Sequence, residues 1–174
     1  MKTNCDFGLI IGRFQPLCLH HLQFFNEVIN SGIKKLLIGV GESKVLDSCN
    51  FITGDEVKSL LIPNLEKLNF PYELIIIPDI NNPPKYADHV KNFFSQINEN
   101  NTCLFTENNY TSDCFINYGH HFQVIKPTVL LTRATDIRQM IINNNPSWQK
   151  LVPLNVAEFI KNKNKPKLPF LNRV

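Results

Sequence analysis

Features of membrane and secreted proteins are missing from this chain. No apolar run in the 174 residues reaches the length of a transmembrane helix, and the N-terminus lacks the apolar core of a signal peptide. The five cysteines form an odd set without C-x-x-C spacing. This argues against a zinc knuckle and against the disulfide framework of a secreted domain. These absences predict a cytoplasmic protein in a reducing environment, with no membrane partner.

The chain also lacks a strong charge of one sign. Its formal net charge is +3, and much of the excess lies after Ile160. Basic residues are not interleaved with aromatic ones, as they are in single-strand binders, and no helix-turn-helix signature is present. We therefore expect no nucleic-acid partner. The length, the 43% hydrophobic content and the absence of internal repeats predict one domain over residues 1–161, followed by a basic, flexible tail over 162–174.

What is present is an alternation of short apolar runs with longer amphipathic segments. Strands are predicted at 7–11, 35–40, 72–77, 102–106 and 121–125. Helices are predicted at 19–31, 55–68, 86–98, 135–143 and 153–161. Such alternation is typical of an α/β fold with a Rossmann-like, doubly wound parallel sheet. In these sheets ligands bind beyond the carboxyl ends of the strands, where the strand order reverses.

The segment after the first predicted strand has the chemistry of a phosphate site. Gly12 lets the backbone turn tightly against a ligand, and Arg13 offers a fork of donors that suits phosphate oxygens. The helix that follows directs its N-terminal amides and dipole at an anion. His21, one turn into that helix, would add a charge-assisted donor.

The same segment resembles a known family. The run Gly-Arg-Phe-Gln-Pro at 12–16 is similar to the opening of the archaeal-type nicotinamide mononucleotide (NMN) adenylyltransferases, of the His-x-Gly-His nucleotidylyltransferase superfamily. His21 matches the second histidine of that motif, whereas Cys18 replaces the first histidine and His20 replaces the glycine. Cys18 is more simply a small buried helix residue, and His20 suits a ligand contact and a surface position equally. The resemblance implies ATP contacts from Gly12, Arg13, Phe14, Gln15 and His21.

Further family motifs follow in order along the chain. The segment Phe-Ile-Thr-Gly-Asp-Glu at 51–56 resembles a family helix start, with Glu56 in place of an arginine; its plainest interpretation is a helix N-terminus with acids in the first turn. Pro-Asp-Ile-Asn at 78–81 resembles the family's nicotinamide loop, and Tyr86 stands for the stacking tryptophan. The Asn pair at 108–109 resembles another strand-end motif, although a turn explains it as well.

The last motif is Thr-Asp-Ile-Arg at 135–138, which resembles the family's Thr-Glu-Ile-Arg helix start. Thr135 and Arg138 would share one helix face, and the resemblance implies that both bind ATP. On the NMN side, it implies binding by Asp79, Ile80, Asn81, Tyr86 and Asn108.

The resemblance, which spans about residues 7–161, implies a nucleotidylyltransferase. The expected reaction joins ATP to NMN or nicotinate mononucleotide, giving NAD and pyrophosphate. Arg13, His21 and Arg138 are the expected catalytic set. Mg²⁺ would enter with ATP, without a metal site built by the protein, and relatives of this type imply a homo-oligomer.

Two alternatives stay open. The substitutions at Cys18, His20 and Glu56 fit a nucleotide-binding or regulatory module that has lost turnover. The same fold could also serve another phosphate acceptor, such as phosphopantetheine.

Overall fold

Strands and helices alternate along the chain as the sequence predicts. The computed structural model describes residues 2–43, 45–47, 49–128 and 133–163. Within these residues the strands are β1 Phe7–Gly12, β2 Lys35–Glu42, β3 Tyr72–Pro78, β4 Thr102–Phe105 and β5 Gln123–Ile125. The α-helices are α1 Leu19–Ile29, α2 Gly54–Leu65, α3 Pro83–Phe93, α4 Asn109–Ile116, α5 Ala134–Ile142 and α6 Leu154–Asn162. Two 3₁₀ helices span Glu66–Leu68 and Pro146–Leu151.

The strands form one parallel sheet in the order β3-β2-β1-β4-β5. From β1 the chain moves outward to β2 and β3, then returns to place β4 on the other side of β1. The point of reversal therefore lies between β1 and β4. The predicted Rossmann-like, doubly wound α/β fold is confirmed, and this reversal is where such sheets bind ligands.

Helices cover both faces of the sheet. Leu9 and Ile10 of β1 are both buried, but they belong to opposite hydrophobic clusters, because successive strand side chains point to opposite faces. On one face the cluster includes Phe25 of α1 and Val156 of α6, together with residues of α2 and α5. On the other it is built from α3 and α4, with Phe115 among its fully buried members. The apolar runs of the strands are thus buried on both sides, as expected of a parallel sheet.

Three elements differ most from the predictions. Helix α3 begins at Pro83 rather than at 86, since proline is tolerated in a first helical turn, and it ends at Phe93. Strand β5 has only three residues. Helix α4 was not predicted. It is short, and Asn108 caps it by accepting hydrogen bonds from the backbone N–H groups of Tyr110 and Thr111.

One disulfide joins Cys5 to Cys103 of β4, whereas Cys18, Cys49 and Cys114 are free. The scattered, odd cysteine set favours free thiols in a reducing environment, so this disulfide departs from the expectation. The pairing depends on the N-terminal segment lying beside β4, which the cysteine spacing does not reveal. Within the described parts of the chain, no helix is both long and apolar enough to cross a membrane.

The predicted C-terminal tail lies mostly outside the described residues. Helix α6 ends at Asn162, and the next residue, Lys163, forms an ion pair with Glu56. The flexible character of 164–174 stays a prediction.

Candidate active site

A cavity of about 630 Å³ lies at the carboxyl ends of the strands, over the reversal between β1 and β4. It brings together motifs that are far apart in the sequence. Ten of the predicted site residues line it: Gly12, Arg13, Phe14, Gln15, His21, Asp79, Tyr86, Asn108, Thr135 and Arg138.

The other two predicted residues, Ile80 and Asn81, are not among those that line the cavity. Asn81 has a left-handed φ of 48°, and its backbone N–H donates to Asp79 Oδ1 over 2.9 Å. The two residues form the turn after β3. Their contact with NMN stays a prediction.

Arg13 connects three of the sequence motifs. Its Nη1 donates to Asn50 Oδ1 over 3.0 Å, and its Nη2 lies 3.4 Å from Asp79 Oδ2. The side chain is about half exposed, so this pair is a surface salt bridge of modest strength. Arg13 is held over the cavity by these contacts and still has donor capacity for an anion.

Phe14 and Gln15 shape the loop after β1. Phe14 has a left-handed φ of 50°, and its ring meets the His21 ring edge-on at a centroid distance of 5.1 Å. A Cβ at Gly12 would lie 3.0 Å from the Phe14 ring, so any larger residue there would require the ring to shift. The buried Gln15 amide exchanges two hydrogen bonds with the backbone of Ile52. Both side chains therefore have structural roles beside the cavity.

His21 is a neutral imidazole whose tautomer is fixed by the backbone. Its Nδ1 lies 3.0 Å from the backbone N–H of Cys18, which can only donate, so the ring proton is on Nε2. Burial, together with the charge of His20, lowers the pKa of His21 to about 3. The expectation of a charge-assisted donor is therefore wrong for this state of the protein. His21 offers a neutral Nε2–H instead.

Cys18 is fully buried at the N-cap of α1, as the simpler interpretation predicts. Its Sγ lies 3.1 Å from His21 Nδ1. Burial raises the pKa of the thiol, so Cys18 is neutral and unreactive. Its role is to hold the ring of His21.

Arg138 joins helix α5 to the loop after β1. Its Nη1 donates to the Gln15 backbone carbonyl over 2.6 Å, and its Nη2 donates to Thr135 Oγ1 over 3.0 Å. The predicted shared face of Thr135 and Arg138 is confirmed. The start of α5 is closed by the backbone N–H of Arg133, which donates to Asp136 Oδ2. Residues 129–132, just before this motif, lie outside the described residues.

Tyr86 and Asn108 also line the cavity. Burial, and then the carboxylate of Asp79, raise the pKa of Tyr86 to about 12, so the phenol stays protonated. The Tyr86 ring packs edge-on against Phe115 at a centroid distance of 6.4 Å. The Asn108 side chain caps α4, which confirms its local structural role.

His20, Glu107 and Tyr110 are polar cavity residues to which the sequence alone assigned no binding role. His20 was left undecided, and it lines the cavity with its side chain only 11% exposed. Glu107 and Tyr110 also line it, one after β4 and the other in α4. The sequence predicts NMN binding by Asn108, with a turn as the alternative for the Asn pair at 108–109, and it does not indicate α4. The available signal for the residues after β4 was their polarity directly after a buried strand.

Glu56 has a structural role, as its plainest interpretation predicts. It forms a reciprocal capping box with Thr53 at the start of α2, and it also pairs with Lys163. Burial raises its pKa, but the hydrogen bonds from Lys163 and Thr53 outweigh this effect, and the net pKa is lowered. Glu56 is not among the residues that line the cavity.

Known proteins are similar in sequence to this chain over most of its length. The chain is 31% identical over 159 residues to the nicotinamide-nucleotide adenylyltransferase of Thermococcus onnurineus, covering 88% of this chain and 81% of that protein. It is 32% identical over 166 residues to the Methanococcus aeolicus enzyme of the same name, covering 91% of each. The chain belongs to the nicotinamide-nucleotide adenylyltransferase family. No protein-family model matches it.

Solved structures show the same fold for this family member. A bifunctional NMN adenylyltransferase/ADP ribose pyrophosphatase from Francisella tularensis superposes with a TM-score of 0.71 at 19% identity, over 91% of this chain and 50% of that one. The same Francisella protein is also known in complex with AMP and a manganese ion. A NadR protein in complex with NAD and AMP-PNP superposes with a TM-score of 0.55 at 15% identity. The chain spans about half the length of these structures.

Proposed function

We propose that this chain transfers the adenylyl group of ATP to NMN or nicotinate mononucleotide, releasing pyrophosphate. The observation that best supports this proposal is that Arg13, His21 and Arg138 line one cavity, which lies at the strand reversal. These three donors come from the loop after β1 and from the first turns of α1 and α5, so helix N-termini add their positive ends to the same place. A triphosphate is the ligand that this arrangement suits.

The proposed reaction is a single displacement at phosphorus. A phosphate oxygen of the mononucleotide attacks the α-phosphorus of ATP, forming a new P–O bond, and the bond between that phosphorus and the oxygen bridging to the β-phosphate breaks. The electron pair leaves on pyrophosphate. Arg138 and Arg13 would stabilise the charge that develops on the phosphates, and His21 would donate through Nε2–H. Because positioning and charge stabilisation carry the reaction, the chain needs no nucleophile of its own.

Mg²⁺ is proposed as the companion of ATP. The described residues contain no group of three or more histidine, cysteine or carboxylate side chains placed to hold a metal. Mg²⁺ commonly binds through one or two carboxylates plus substrate phosphates, so the cavity fits an ion that ATP brings with it. Asp79 lines the cavity beside the phosphate donor Arg13, so its carboxylate could contact such an ion. The ion would offset phosphate charge during transfer.

The mononucleotide is proposed to lie toward Tyr86. A neutral tyrosine ring can stack on a planar pyridinium, and a cation over such a ring gains about 0.5–2 kcal/mol. Asp79 and Asn108 line the same part of the cavity as polar contacts. NMN carries a carboxamide on the pyridine ring where nicotinate mononucleotide carries a carboxylate. None of these residues distinguishes the two groups, so the proposal includes both mononucleotides.

A nucleotide-binding module without turnover is the second candidate. The observation that favours it is Cys18, whose buried thiol cannot donate to a phosphate as an imidazole does. The two candidates differ in whether product accumulates beyond one equivalent of protein.

Product analysis tests the proposal. The purified chain is incubated with ATP, Mg²⁺ and one acceptor at a time: NMN, nicotinate mononucleotide or 4′-phosphopantetheine. We expect the corresponding dinucleotide and an equal amount of pyrophosphate with a pyridine mononucleotide, and none with phosphopantetheine. Absence of any dinucleotide, together with a rise in Tm on adding ATP, would establish the binding module instead. Light scattering on the same sample tests the predicted homo-oligomer.

A further inference from the structure

His20 and Glu107 face each other across the crevice between β1 and β4. His20 lies in the first turn of α1, which follows β1, and Glu107 is the second residue after β4. His20 Nε2 is 3.7 Å from Glu107 Oε1. Both side chains line the cavity, so this pair stands at the strand reversal where nucleotides bind in doubly wound sheets.

The hydrogen-bonding capacity of this pair is unused. His20 Nδ1 is enclosed by protein and has no hydrogen-bond partner in the part of the chain that the structure describes. The contact through Nε2 is longer than a normal hydrogen bond. Buried polar atoms in proteins nearly always have partners, so an enclosed imidazole without one points to a group that is added on binding. The long contact to Glu107 is weak enough for the ring to rotate toward such a group.

The surroundings of His20 suit a flat, uncharged ring more than a phosphate. The Glu107 carboxylate repels phosphate oxygens, and the cationic donors Arg13 and Arg138 belong to the loop after β1 and to α5. Phe24, one turn along α1 from His20, lines the same cavity and is buried. A carboxylate beside an imidazole presents one acceptor next to one donor. Adenine carries the complementary pair, an exocyclic amino group next to a ring nitrogen.

We propose that His20 and Glu107 read the base of the bound nucleotide. The Glu107 carboxylate accepts a hydrogen bond from the exocyclic amino group of adenine, and the His20 imidazole donates to the neighbouring ring nitrogen. A purine with a carbonyl in place of the amino group would set its oxygen against the carboxylate. The pair therefore selects ATP over ITP and GTP. This inference rests on the proposed function in taking ATP as the nucleotide of the cavity.

Calorimetric titration of the full chain with ATP, ITP and inorganic tripolyphosphate, each with Mg²⁺, tests this assignment. ITP differs from ATP at the amino position of the base, and tripolyphosphate has no base. Wild type is expected to bind ATP at least about tenfold more tightly than ITP. Glu107→Gln should remove most of that preference, because the glutamine amide can donate to the ITP carbonyl. His20→Ala should weaken ATP about tenfold. Neither substitution should change tripolyphosphate affinity.

Matched controls come from exposed residues of the same types. Glu158→Gln on α6 and His121→Ala before β5 should leave all three affinities unchanged. Equal losses for ATP and tripolyphosphate in the His20 or Glu107 variants would overturn the proposal by placing the pair at the phosphates. Unchanged ATP and ITP affinities in both variants, or tighter ATP binding by His20→Ala, would overturn it by leaving the pair without a base contact.

The titration can succeed or fail independently of the test of the proposed function. Binding is read without turnover, so a chain that forms no NAD but loses its ATP preference in Glu107→Gln supports base reading and contradicts adenylyl transfer. A chain that forms NAD but whose Glu107→Gln variant still prefers ATP over ITP supports adenylyl transfer and contradicts base reading.

Discussion

The two sides of the cavity differ in how completely their polar groups are paired. On the α5 side, Arg138 is fixed by hydrogen bonds of 2.6 Å to Gln15 and 3.0 Å to Thr135. On the α1–β4 side, His20 and Glu107 share one contact of 3.7 Å. Donors that are oriented before the substrate arrives stabilise developing charge without reorganisation. Under the proposed function, the side that would face the reacting phosphates is built in advance, whereas the side that would face the base is completed by the ligand.

Removing Arg138 should have the largest effect on the preorganised side. Arg138→Ala is expected to lower kcat for NAD formation by about 10²- to 10³-fold, because it deletes a fixed cationic donor at the transferring phosphate. The far-UV circular dichroism should be unchanged. Lys150→Ala removes a cation from an exposed position and should leave kcat unchanged, which makes it the control. Normal turnover by Arg138→Ala would remove this residue from the catalytic set.

His21→Asn separates the two functions of the imidazole. The asparagine oxygen can still accept from the Cys18 N–H, as Nδ1 does, but the Nε2–H donor is lost. We expect kcat to fall by about 10²-fold, which is typical of losing one preorganised donor. The Tm at neutral pH should hardly change. Steady-state kinetics measures this, with His121→Asn as the control variant that should keep the wild-type kcat. If His21→Asn also kept the wild-type kcat, the catalytic role assigned to His21 would be contradicted.

The low pKa of His21 also predicts how stability depends on pH. The ring has a pKa of about 3 in the folded chain and 6.5 without the fold, so the unfolded state takes up its proton first as the pH falls. The contribution of His21 is therefore present above pH 6.5 and is lost on acidification. Between pH 7 and pH 5 wild type should lose about 1 to 2 kcal/mol more unfolding free energy than His21→Asn. Urea unfolding at the two pH values measures this, and parallel losses would show that the ring is not desolvated.

Tyr86 should give the smallest effect, and it tests a region outside both sides compared above. Tyr86→Leu is expected to raise KM for NMN from several-fold to about thirtyfold, because stacking of a cationic ring is lost. Tyr86→Phe keeps the aromatic face and should stay within about twofold of wild type. The KM for ATP should not change in either variant. An equal rise in both KM values would indicate a general distortion of the cavity.

The regular elements of the fold could be predicted from local patterns. Buried parallel strands such as β1 are continuous apolar runs, and the amphipathic period of α1 is visible in its sequence. Helix α4 could not be predicted in this way. Its core contacts include Thr111, Ser112 and Cys114, whose polar or small side chains leave no apolar period to detect.

Contacts within one sequence motif of the site could be predicted, whereas contacts between motifs that only the sheet order brings together could not. Arg138 and Thr135 lie three residues apart on one helix face, so their contact could be expected. Arg13 and Asp79 are 66 positions apart, and only the sheet order brings them together. The charge state of His21 was mispredicted for a similar reason, since burial depends on neighbours from the whole fold.

The most direct test of adenylyl transfer is the number of NAD molecules that one wild-type chain forms from ATP and NMN in the presence of Mg²⁺. We expect product far in excess of the protein concentration, with most of the rate lost in Arg138→Ala. Product that never exceeds one equivalent, from a chain that binds both ATP and NMN, would contradict it and identify the cavity as a binding site without turnover.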